Sequence, residues 1–369
     1  MRSRHLIALM VSACLALGGC SVSREVENQA YALVFGVDLS GEGGIELTIR
    51  APTIGRSSGE ESGASQSSPY HVFSARGRSY ADALRRLEET VPRDLNLSHI
   101  KLLVASEEIA RSGDFASLIS RIAETPHLYT TTRFVICEGS ANEFIRAQKT
   151  IIGTRLSAEI DAMFEHYASC GAIPDSCFSE VYYASRSIYS DPVAAWGWLS
   201  EPGSSEGAAS ETTKTPMEEC YSGAVVFRDG VMACRLDTGQ TRLLNLLLGI
   251  RESFQMEHAG KPHTFTPDGS PAKRVEISGN AVHVEIDISL STIDSLAPAA
   301  VSEIESEVAR SLAELVRACQ ALHLEPFGLA EAAAGGFLTV PEWMAFDWRE
   351  RFSQADVDIR VHLRGASDR

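Results

Sequence analysis

The first twenty residues of this chain, MRSRHLIALMVSACLALGGC, divide it into a leader and a body. Arg2 and Arg4 precede an apolar run from Leu6 to Leu17, and two glycines close the run. A basic start, a short apolar core and a small-residue exit are typical of a secretory signal. A bilayer span needs about 20 apolar residues, and neither this run nor any later segment reaches that length. We therefore expect a body that folds outside the cytoplasm without a membrane-spanning helix.

The leader ends in Leu17-Gly18-Gly19-Cys20, which looks like a bacterial lipoprotein signal. In such signals the cysteine thiol is acylated, and cleavage then leaves the cysteine as the first residue. We predict that residues 1–19 are the signal peptide and that Cys20 is the lipidation site. Each buried CH₂ of an acyl chain contributes about 0.8 kcal/mol, so several chains on one cysteine anchor a protein stably. The alternative is an ordinary secretory signal in which the cysteine stands by chance.

Length and charge limit what the body can be. Removing residues 1–19 leaves 350 of the 369 residues, which is too many for one ordinary core, so we expect two or three domains. With 44% hydrophobic and 22% charged residues, the composition is that of a globular protein. The formal net charge of −16 becomes −18 once Arg2 and Arg4 are removed. A chain this acidic lacks the basic stripe that nucleic acid requires, and it does not favour broad adhesion to anionic lipid.

The first part of the body alternates between strand and helix patterns, which predicts an N-terminal α+β domain over residues 20–199 with a partly parallel sheet. Residues 55–69 are low-complexity and are interpreted as a mobile loop. Ser140 and Glu143 are spaced as a capping box, in which two side chains satisfy free amides at a helix start. The predicted strands are Tyr31–Leu39, Ile45–Ala51, Tyr70–Ala75, Ile100–Ala105 and Arg133–Glu138, and the predicted helices are Ser79 to about Val91, Glu107–Ala110, one burying Phe115, Leu118, Ile119 and Ile122, and one with Leu156, Ile160, Met163 and Tyr167 on one face.

The later part of the chain predicts sheet covered by one long helix. Residues 200–216 are poor in apolar residues and are interpreted as a linker, followed by a middle β-rich lobe over 217–272 and a C-terminal α+β lobe over 273–369. Asp229-Gly230 is a strong hairpin turn signal between two β-rich runs. After Pro298, apolar residues recur at threes and fours, which predicts a long amphipathic helix. The further predicted strands are Tyr221–Arg228, Val231–Leu236, Val275–Ile277, Val282–Leu290 and Val357–Leu363. The fold class that we expect is α+β and multi-lobed, with mixed sheets each covered by helices.

No sequence motif predicts catalysis or cofactor binding. Residues 203–207 match GxSxG around Ser205, but a nucleophile elbow needs a strand before it and a helix after it, and this match lies in the predicted linker. The sequence has no HExxH, P-loop or Rossmann fingerprint. Adjacent carboxylates such as Glu88-Glu89 point about 100° apart on a helix, so we interpret them as solvated. We therefore expect no catalytic residue, no cofactor and no metal.

The cysteines leave one question open. Cys170 and Cys177 are spaced so that they could form a disulfide across a loop, which an extracytoplasmic location permits. Together with His166 they could supply three zinc ligands, but no fourth ligand is near and the spacing matches no common zinc motif. Besides Cys14 and Cys20, which the leader accounts for, the cysteines are Cys137, Cys170, Cys177, Cys220, Cys234 and Cys319.

Taken in order, several segments resemble one known family. After the lipoprotein signal come Phe35-Gly36-Val37-Asp38, then SHIKLLVASEEIA at Ser98–Ala110, then GAVVFRDG at Gly223–Gly230, and finally Pro341-Glu342-Trp343 with Trp348 and Phe352 before the last strand. This order resembles the Ger(x)C family, the lipoprotein C subunits of spore germinant receptors. The SHIKLLVASEEIA segment is the most specific part, and the resemblance spans nearly the whole body.

The resemblance implies a non-enzymatic, lipid-anchored subunit on the outer surface of the spore inner membrane. Such a subunit works with a membrane-embedded A subunit and a transporter-like B subunit, so that nutrient binding triggers germination. It also implies three α+β lobes, which here would be residues 24–199, 217–272 and 273–369. Two other classes stay open: a solute-binding lipoprotein of a transporter, although the two halves of the chain differ in pattern, and a surface hydrolase using Ser205.

Overall fold

The computed structural model describes residues 28–41, 43–52, 70–125, 131–148, 156–201, 217–250 and 253–365. Cys20 with its signal, the segment 55–69 and the GxSxG match at 203–207 lie outside these residues. The strands are β1 (Gln29–Tyr31), β2 (Val34–Ser40), β3 (Gly44–Pro52), β4 (Tyr70–Gly77), β5 (Asp94–Asn96), β6 (Leu102–Ser106), β7 (Arg133–Cys137), β8 (Val193–Ser200), β9 (Glu218–Arg228), β10 (Val231–Leu236), β11 (Phe254–His258), β12 (Lys261–Pro267), β13 (Ala272–Ser278), β14 (Ala281–Thr292) and β15 (Asp356–Arg364).

The helices alternate with these strands, and none in the described ranges is long and apolar enough to cross a membrane. They are α1 (Tyr80–Thr90), α2 (Glu107–Ala110), α3 (Phe115–Ala123), α4 (Ala141–Ala147), α5 (Leu156–Ser169), α6 (Phe178–Ala184), α7 (Thr238–Leu248), α8 (Pro298–Ala321), α9 (Leu329–Ala334), α10 (Val340–Phe346) and α11 (Trp348–Ser353).

The N-terminal domain is built on an eight-stranded mixed sheet in the order β10-β9-β8-β7-β6-β2-β3-β4. The pairs β2–β6, β6–β7 and β7–β8 are parallel, which confirms the predicted partly parallel sheet. Helices α1, α3 and α6 cover one face, and α4 and α5 cover the other. Because both faces are covered, Leu102 to Ala105 on β6 are all buried, and this explains why the strand reads as a continuous apolar run.

The C-terminal domain is a five-stranded sheet in the order β11-β12-β14-β13, with β15 parallel to β14. Along β14, the side chains of Val282, Val284, Ile286, Ile288 and Leu290 are buried at alternate positions, so only one face of the sheet is covered. The helix α8 covers that face over 24 residues and confirms the predicted amphipathic helix. Its buried positions are Ile304, Val308, Leu312, Leu315, Val316, Cys319 and Gln320.

Residues 217–272 are shared between the two sheets, whereas the sequence predicted a lobe of their own. Strand β9 pairs with β8 and is followed by the edge strand β10 of the eight-stranded sheet, whereas β11 and β12 belong to the five-stranded sheet. The reason lies in the two faces of β9. Val225 and Phe227 are buried in the N-terminal core, and Ala224 and Val226 are buried in the C-terminal core, so β9 contributes to both domains.

The local signals for turns and helix starts are largely confirmed. Asp229 and Gly230 both have positive φ, of 50° and 79°, which is the conformation of a tight hairpin turn. At the start of α1, the Asp82 amide donates to the Ser79 hydroxyl at 3.3 Å, as predicted for the N-cap. At the start of α4, the Ser140 hydroxyl accepts from the Asn142 and Glu143 amides. These caps fix the ends of both helices.

A second acceptor at the start of α4 comes from a distant strand. The Asp38 carboxylate on β2 accepts the Ala141 amide at 2.7 Å and the Asn142 amide at 2.9 Å. The sequence predicted that the Glu143 carboxylate would be the second acceptor, as in a capping box, but at this helix start the structure places the Asp38 carboxylate beside the Ser140 hydroxyl. Asp38 is buried, so burial raises the pKa of its carboxyl group while the two amide bonds lower it. The last residue of the Phe35-Gly36-Val37-Asp38 segment thus ties the sheet to α4.

Candidate functional site at the junction of the two domains

The two domains are joined by a reciprocal pair of hydrogen bonds. Asp191 lies just before β8, and Glu325 lies between α8 and α9. The Asp191 amide donates to the Glu325 carbonyl at 3.1 Å, and the Glu325 amide donates to the Asp191 carboxylate at 2.7 Å. These two residues are 134 positions apart in the chain. We call the contact surface around them the junction.

Arg349 at the start of α11 connects the junction to the β9–β10 turn. Its guanidinium donates to the Asp191 carboxylate and to the Asp229 carboxylate, each at 2.6 Å. The Asp191 side chain is fully buried, whereas the Asp229 side chain is 66% exposed. Burial raises the pKa of Asp191, and the hydrogen bond from Arg349 lowers the pKa of Asp229. Arg349 is therefore the cation that keeps a buried carboxylate paired at the junction.

Glu325 caps the helix that follows it. Its carboxylate accepts the amides of Phe327, Leu329 and Ala330 at 2.9 to 3.1 Å, at the start of α9. Burial raises the pKa of Glu325 to about 8, and the nearby Asp191 adds to this effect, against the lowering effect of the three amide bonds. A carboxyl group with such a pKa changes its charge near neutral pH, so the junction contains a titratable group.

Aromatic packing completes the junction. The Trp343 indole on α10 donates to the Ile188 carbonyl at 3.3 Å, and its ring lies 5.7 Å from the ring of Tyr189. On its other sides Trp343 packs against Trp348 at 5.7 Å and Phe337 at 5.3 Å. A buried tryptophan needs a partner for its N–H, and here the partner belongs to the other domain.

A cleft of about 480 Å³ opens beside these contacts. Asp175, Ser176 and Glu180 line it from the N-terminal domain, and Lys273 and Glu331 line it from the C-terminal domain. The Lys273 ammonium donates to the Phe327 carbonyl at 2.7 Å, and burial lowers the pKa of Lys273. The volume is within the range of small-molecule sites, and the lining mixes apolar residues such as Leu248, Ile250 and Phe327 with four carboxylates and one ammonium. The cleft is thus of mixed polarity, and its lining does not pair a nucleophile with a base.

The cysteines contribute no bridge or metal site in the described ranges. Cys170 and Cys177 are both free, and the Cys170 thiol donates to the His166 carbonyl at 3.1 Å. The described part of the chain contains no group of three or more His, Cys, Asp or Glu side chains suited to a metal ion. Cys137 and Cys319 are buried among apolar side chains, as the sequence predicted.

Sequence reasoning missed the junction residues Asp191, Glu325 and Arg349, because the partners that they bind at the junction are 120 to 158 positions away in the chain. A signal was nevertheless present. The segment Gly223–Gly230 supplies Asp229, and the segment around Pro341-Glu342-Trp343 supplies the aromatic packing and leads to Arg349. The structure brings these two segments together.

Comparison with known families decides the relationship of this chain. The family model described as spore germination protein N-terminal domain matches residues 22–196. The model described as spore germination B3/GerAC like, C-terminal, matches residues 222–364. The chain belongs to the GerAC family of spore germination proteins. The predicted family resemblance is thereby confirmed, and the family is not known for enzymes.

The sequence of this chain aligns with individual relatives over part of their length. Spore germination protein KC of Bacillus subtilis (strain 168) is 26% identical over 147 residues, which are 39% of this chain and 36% of the relative. The putative spore germination protein YfkR of the same organism is 23% identical over 135 residues, which are 36% of this chain and 35% of the relative. Each alignment thus spans about a third of the curated relative.

A solved structure shows the same fold. The crystal structure of the GerBC protein superposes with a TM-score of 0.54 and 12% identity, covering 90% of this chain and 96% of that chain. This confirms the mixed α+β class and the two-domain arrangement. The first family model ends within β8 and the second begins within β9, although β8 and β9 pair within one sheet.

Proposed function

We propose that the protein is a lipid-anchored, non-enzymatic C subunit of a nutrient germinant receptor on the outer surface of the spore inner membrane. It acts in germination by contact with a membrane-embedded A subunit and a transporter-like B subunit. The match of the two family models, in order over residues 22–196 and 222–364, carries this proposal. The leader sequence supports the anchor, because Cys20 lies directly before the matched region.

The chemistry of the buried thiols is consistent with a role by contact. A cysteine nucleophile acts as the thiolate, which requires a low pKa. Burial instead raises the pKa of Cys234 to about 11 and that of Cys319 to about 12, and it also raises the pKa of Cys137 well above its usual value. These three cysteines are therefore protonated at neutral pH and serve as small apolar side chains of the interior.

Deletion in the sporulating host tests the function. We expect spores without this gene to lose the response to particular nutrients, and expect a plasmid copy to restore it. Normal germination with every nutrient, in a strain without a redundant receptor, would contradict the proposal.

A cysteine substitution tests the anchor separately. We expect Cys20→Ala to abolish incorporation of labelled palmitate, release the protein from membranes and weaken the nutrient response. Cys170→Ala is the matched control, because Cys170 is a half-buried free thiol far from the leader in the chain. Unchanged palmitate labelling and membrane retention in Cys20→Ala would refute lipidation at this residue.

The junction cleft favours one second candidate, a solute-binding lipoprotein of a transporter. Its volume of about 480 Å³ and its lining of apolar and charged residues would accommodate a small nutrient. The two domains differ, however, since one has an eight-stranded sheet and the other a five-stranded sheet. Calorimetry of the purified protein with a nutrient panel separates the two candidates. Tight binding of one nutrient by this chain alone would favour the solute-binding function.

A further inference from the structure

The C-terminal domain presents a group of exposed apolar side chains around α10. Leu338 is 93% exposed, Val340 51% and Met344 64%. From Ala332 to Phe346 the sequence contains a single charged residue, Glu342, in a chain with 22% charged residues. Exposed apolar side chains are ordinary when single, whereas a contiguous group marks a place where something binds.

The exposed side chains stand on a rigid base. Trp343 is 3% exposed and packs against Phe337 and Phe346 beneath them. The start of α10 is closed by a capping box of Thr339 and Glu342. The Glu342 carboxylate accepts the amides of Leu338 and Thr339, so the one charge of the segment is engaged in the cap. Because the base is fixed by these contacts, the exposed side chains are not free to fold inward.

An exposed apolar residue of the N-terminal domain lies next to α10. Ile188 of the N-terminal domain is 43% exposed, and its carbonyl accepts the Trp343 indole N–H at 3.3 Å. We call Leu338, Val340, Met344 and Ile188 the apolar patch. A ligand that covered the patch would contact both domains beside the junction.

The charges around the apolar patch indicate what covers it. Between Glu331 and Glu350 the chain carries four carboxylates and one guanidinium, Arg349, which is held by Asp191 and Asp229. Arg186, near Ile188, is the exposed cation of the neighbouring segment and stacks on Tyr182. With a net charge of −16, or −18 without the leader, the chain is repelled by an anionic bilayer and by a second copy of itself. An apolar ridge with a basic rim on another protein fits this surface by charge complementarity.

We infer that the apolar patch is a docking surface for such a partner protein. The inference rests on the proposed function, under which the partner is the exposed part of one of the membrane-embedded receptor subunits. The inference locates the surface through which this chain contacts its receptor. Its contacts reach α10 and, through Trp343, the junction.

Photo-crosslinking in spore membranes tests the inference. Benzoylphenylalanine replaces Leu338 in the full-length protein, with epitope tags on the A and B subunits. Ile293 provides the control position, because it is 78% exposed and directly follows β14. The opposite end of β14 is preceded by Asn280, whose carbonyl accepts a hydrogen bond from Arg351 of α11. Twelve residues of β14 separate these ends by about 40 Å at roughly 3.4 Å per residue. We expect adducts with a tagged subunit from position 338 and none from position 293.

Substitutions that introduce a charge measure how much the patch contributes to subunit binding. We expect Leu338→Glu and Met344→Glu to reduce the co-purified tagged subunit at least about tenfold, as substitutions at the centre of an interface do. Leu338→Met and Ile293→Glu should leave it unchanged. Since Leu338 is 93% exposed, Leu338→Glu removes no core packing, and an unchanged melting curve verifies that the variant folds.

Other outcomes overturn the inference in distinguishable ways. Adducts from position 293 but not from position 338 would agree with the proposed function but would exclude the apolar patch as the docking surface. Adducts between two copies of this chain would identify self-association instead. Binding to phosphatidylglycerol vesicles that Leu338→Glu abolishes would identify a lipid surface. If wild-type protein co-purifies with neither tagged subunit, the proposed function fails, and the inference fails with it.

Discussion

Removing the Arg349 side chain should destabilise the protein because it leaves a buried carboxylate without its cation. Arg349→Ala deletes the guanidinium that binds Asp191, whose side chain is fully buried, and Asp229, whose side chain is 66% exposed. Breaking a buried ion pair by removing one partner costs about 3–5 kcal/mol. Asp191 keeps the Glu325 amide as a donor, and Arg349 itself is 35% exposed, so water already screens part of the pair. We therefore expect a loss of about 2–3 kcal/mol in the free energy of unfolding, with at most about 1 kcal/mol from the exposed Asp229.

The loss should depend on pH with a definite sign. The guanidinium favours the ionised form of Asp191, so its removal raises the folded-state pKa of Asp191 further above the usual range. The variant then loses stability as pH rises through the range where its folded Asp191 must ionise, and the wild type loses less. The difference between the two proteins is therefore largest at a pH where Asp191 is ionised in both folded proteins, and it shrinks as the pH falls towards the usual pKa of an aspartate.

Urea unfolding followed by tryptophan fluorescence measures this difference. Trp343 and Trp348 lie at the junction and report on the contacts that Arg349 maintains. Arg364→Ala is the matched control, because Arg364 pairs with Asp268 at 2.7 Å but is 65% exposed. It should lose less than about 1 kcal/mol. In an Asp191→Asn background, Arg349→Ala should cost about 1 kcal/mol or less, since the charge to be neutralised is gone.

Two results would refute the reasoning. One is an Arg349→Ala variant that loses no more than Arg364→Ala at pH 8. The other is a loss that stays the same in the Asp191→Asn background, because the cost would then come from packing and not from the buried charge.

Two further predictions concern other buried carboxylates. Because the pKa of Glu325 is about 8 in the folded protein against 4.5 ordinarily, the folded state holds a proton that the unfolded state releases. Between pH 5 and pH 8 the free energy of unfolding of the wild type, measured in urea, should therefore fall by of order 2–4 kcal/mol more than that of Glu325→Gln. Parallel plots of the free energy of unfolding against pH for the two proteins would contradict this. Asp38→Ala removes the acceptor of the Ala141 and Asn142 amides and should cost about 1–3 kcal/mol in the same assay. Asp114→Ala should cost under about 0.5 kcal/mol, since Asp114 stands at the N-cap of α3 without a side-chain cap bond, and equal losses for the two variants would count against the capping role of Asp38.

The elements of this fold could be predicted because their signals are local. The alternation of Val282 to Leu290 predicts a strand with one buried face, and the spacing after Pro298 predicts α8. Asp229-Gly230 predicts a hairpin because both residues tolerate a positive φ. The Ser79 cap begins α1 through a bond to a residue three positions away. Periodicity, turn geometry and capping all act within a few residues, so they can be interpreted without knowledge of the tertiary structure.

The candidate site could not be predicted in the same way. Arg349 and Asp191 are 158 positions apart, and Asp38 caps a helix that begins 103 positions later. Whether a charged residue is solvated or buried in a pair depends on which surfaces pack together, and nothing in the neighbouring residues states this. The same holds for β9, which the sequence placed after a linker in a separate lobe.

The sequence by itself determined many of the helices and strands, although not β8, β11, β12 or α7, and it determined the acidic character of the chain and, through its leader and ordered segments, the family. Only the tertiary structure decided that β9 completes the N-terminal sheet while its other face enters the C-terminal core. It also decided that Asp191, Glu325 and Arg349 meet where the two domains join. The physical reason is that strand pairing and charge burial are non-local: their free energy comes from residues that approach one another only when both cores have closed.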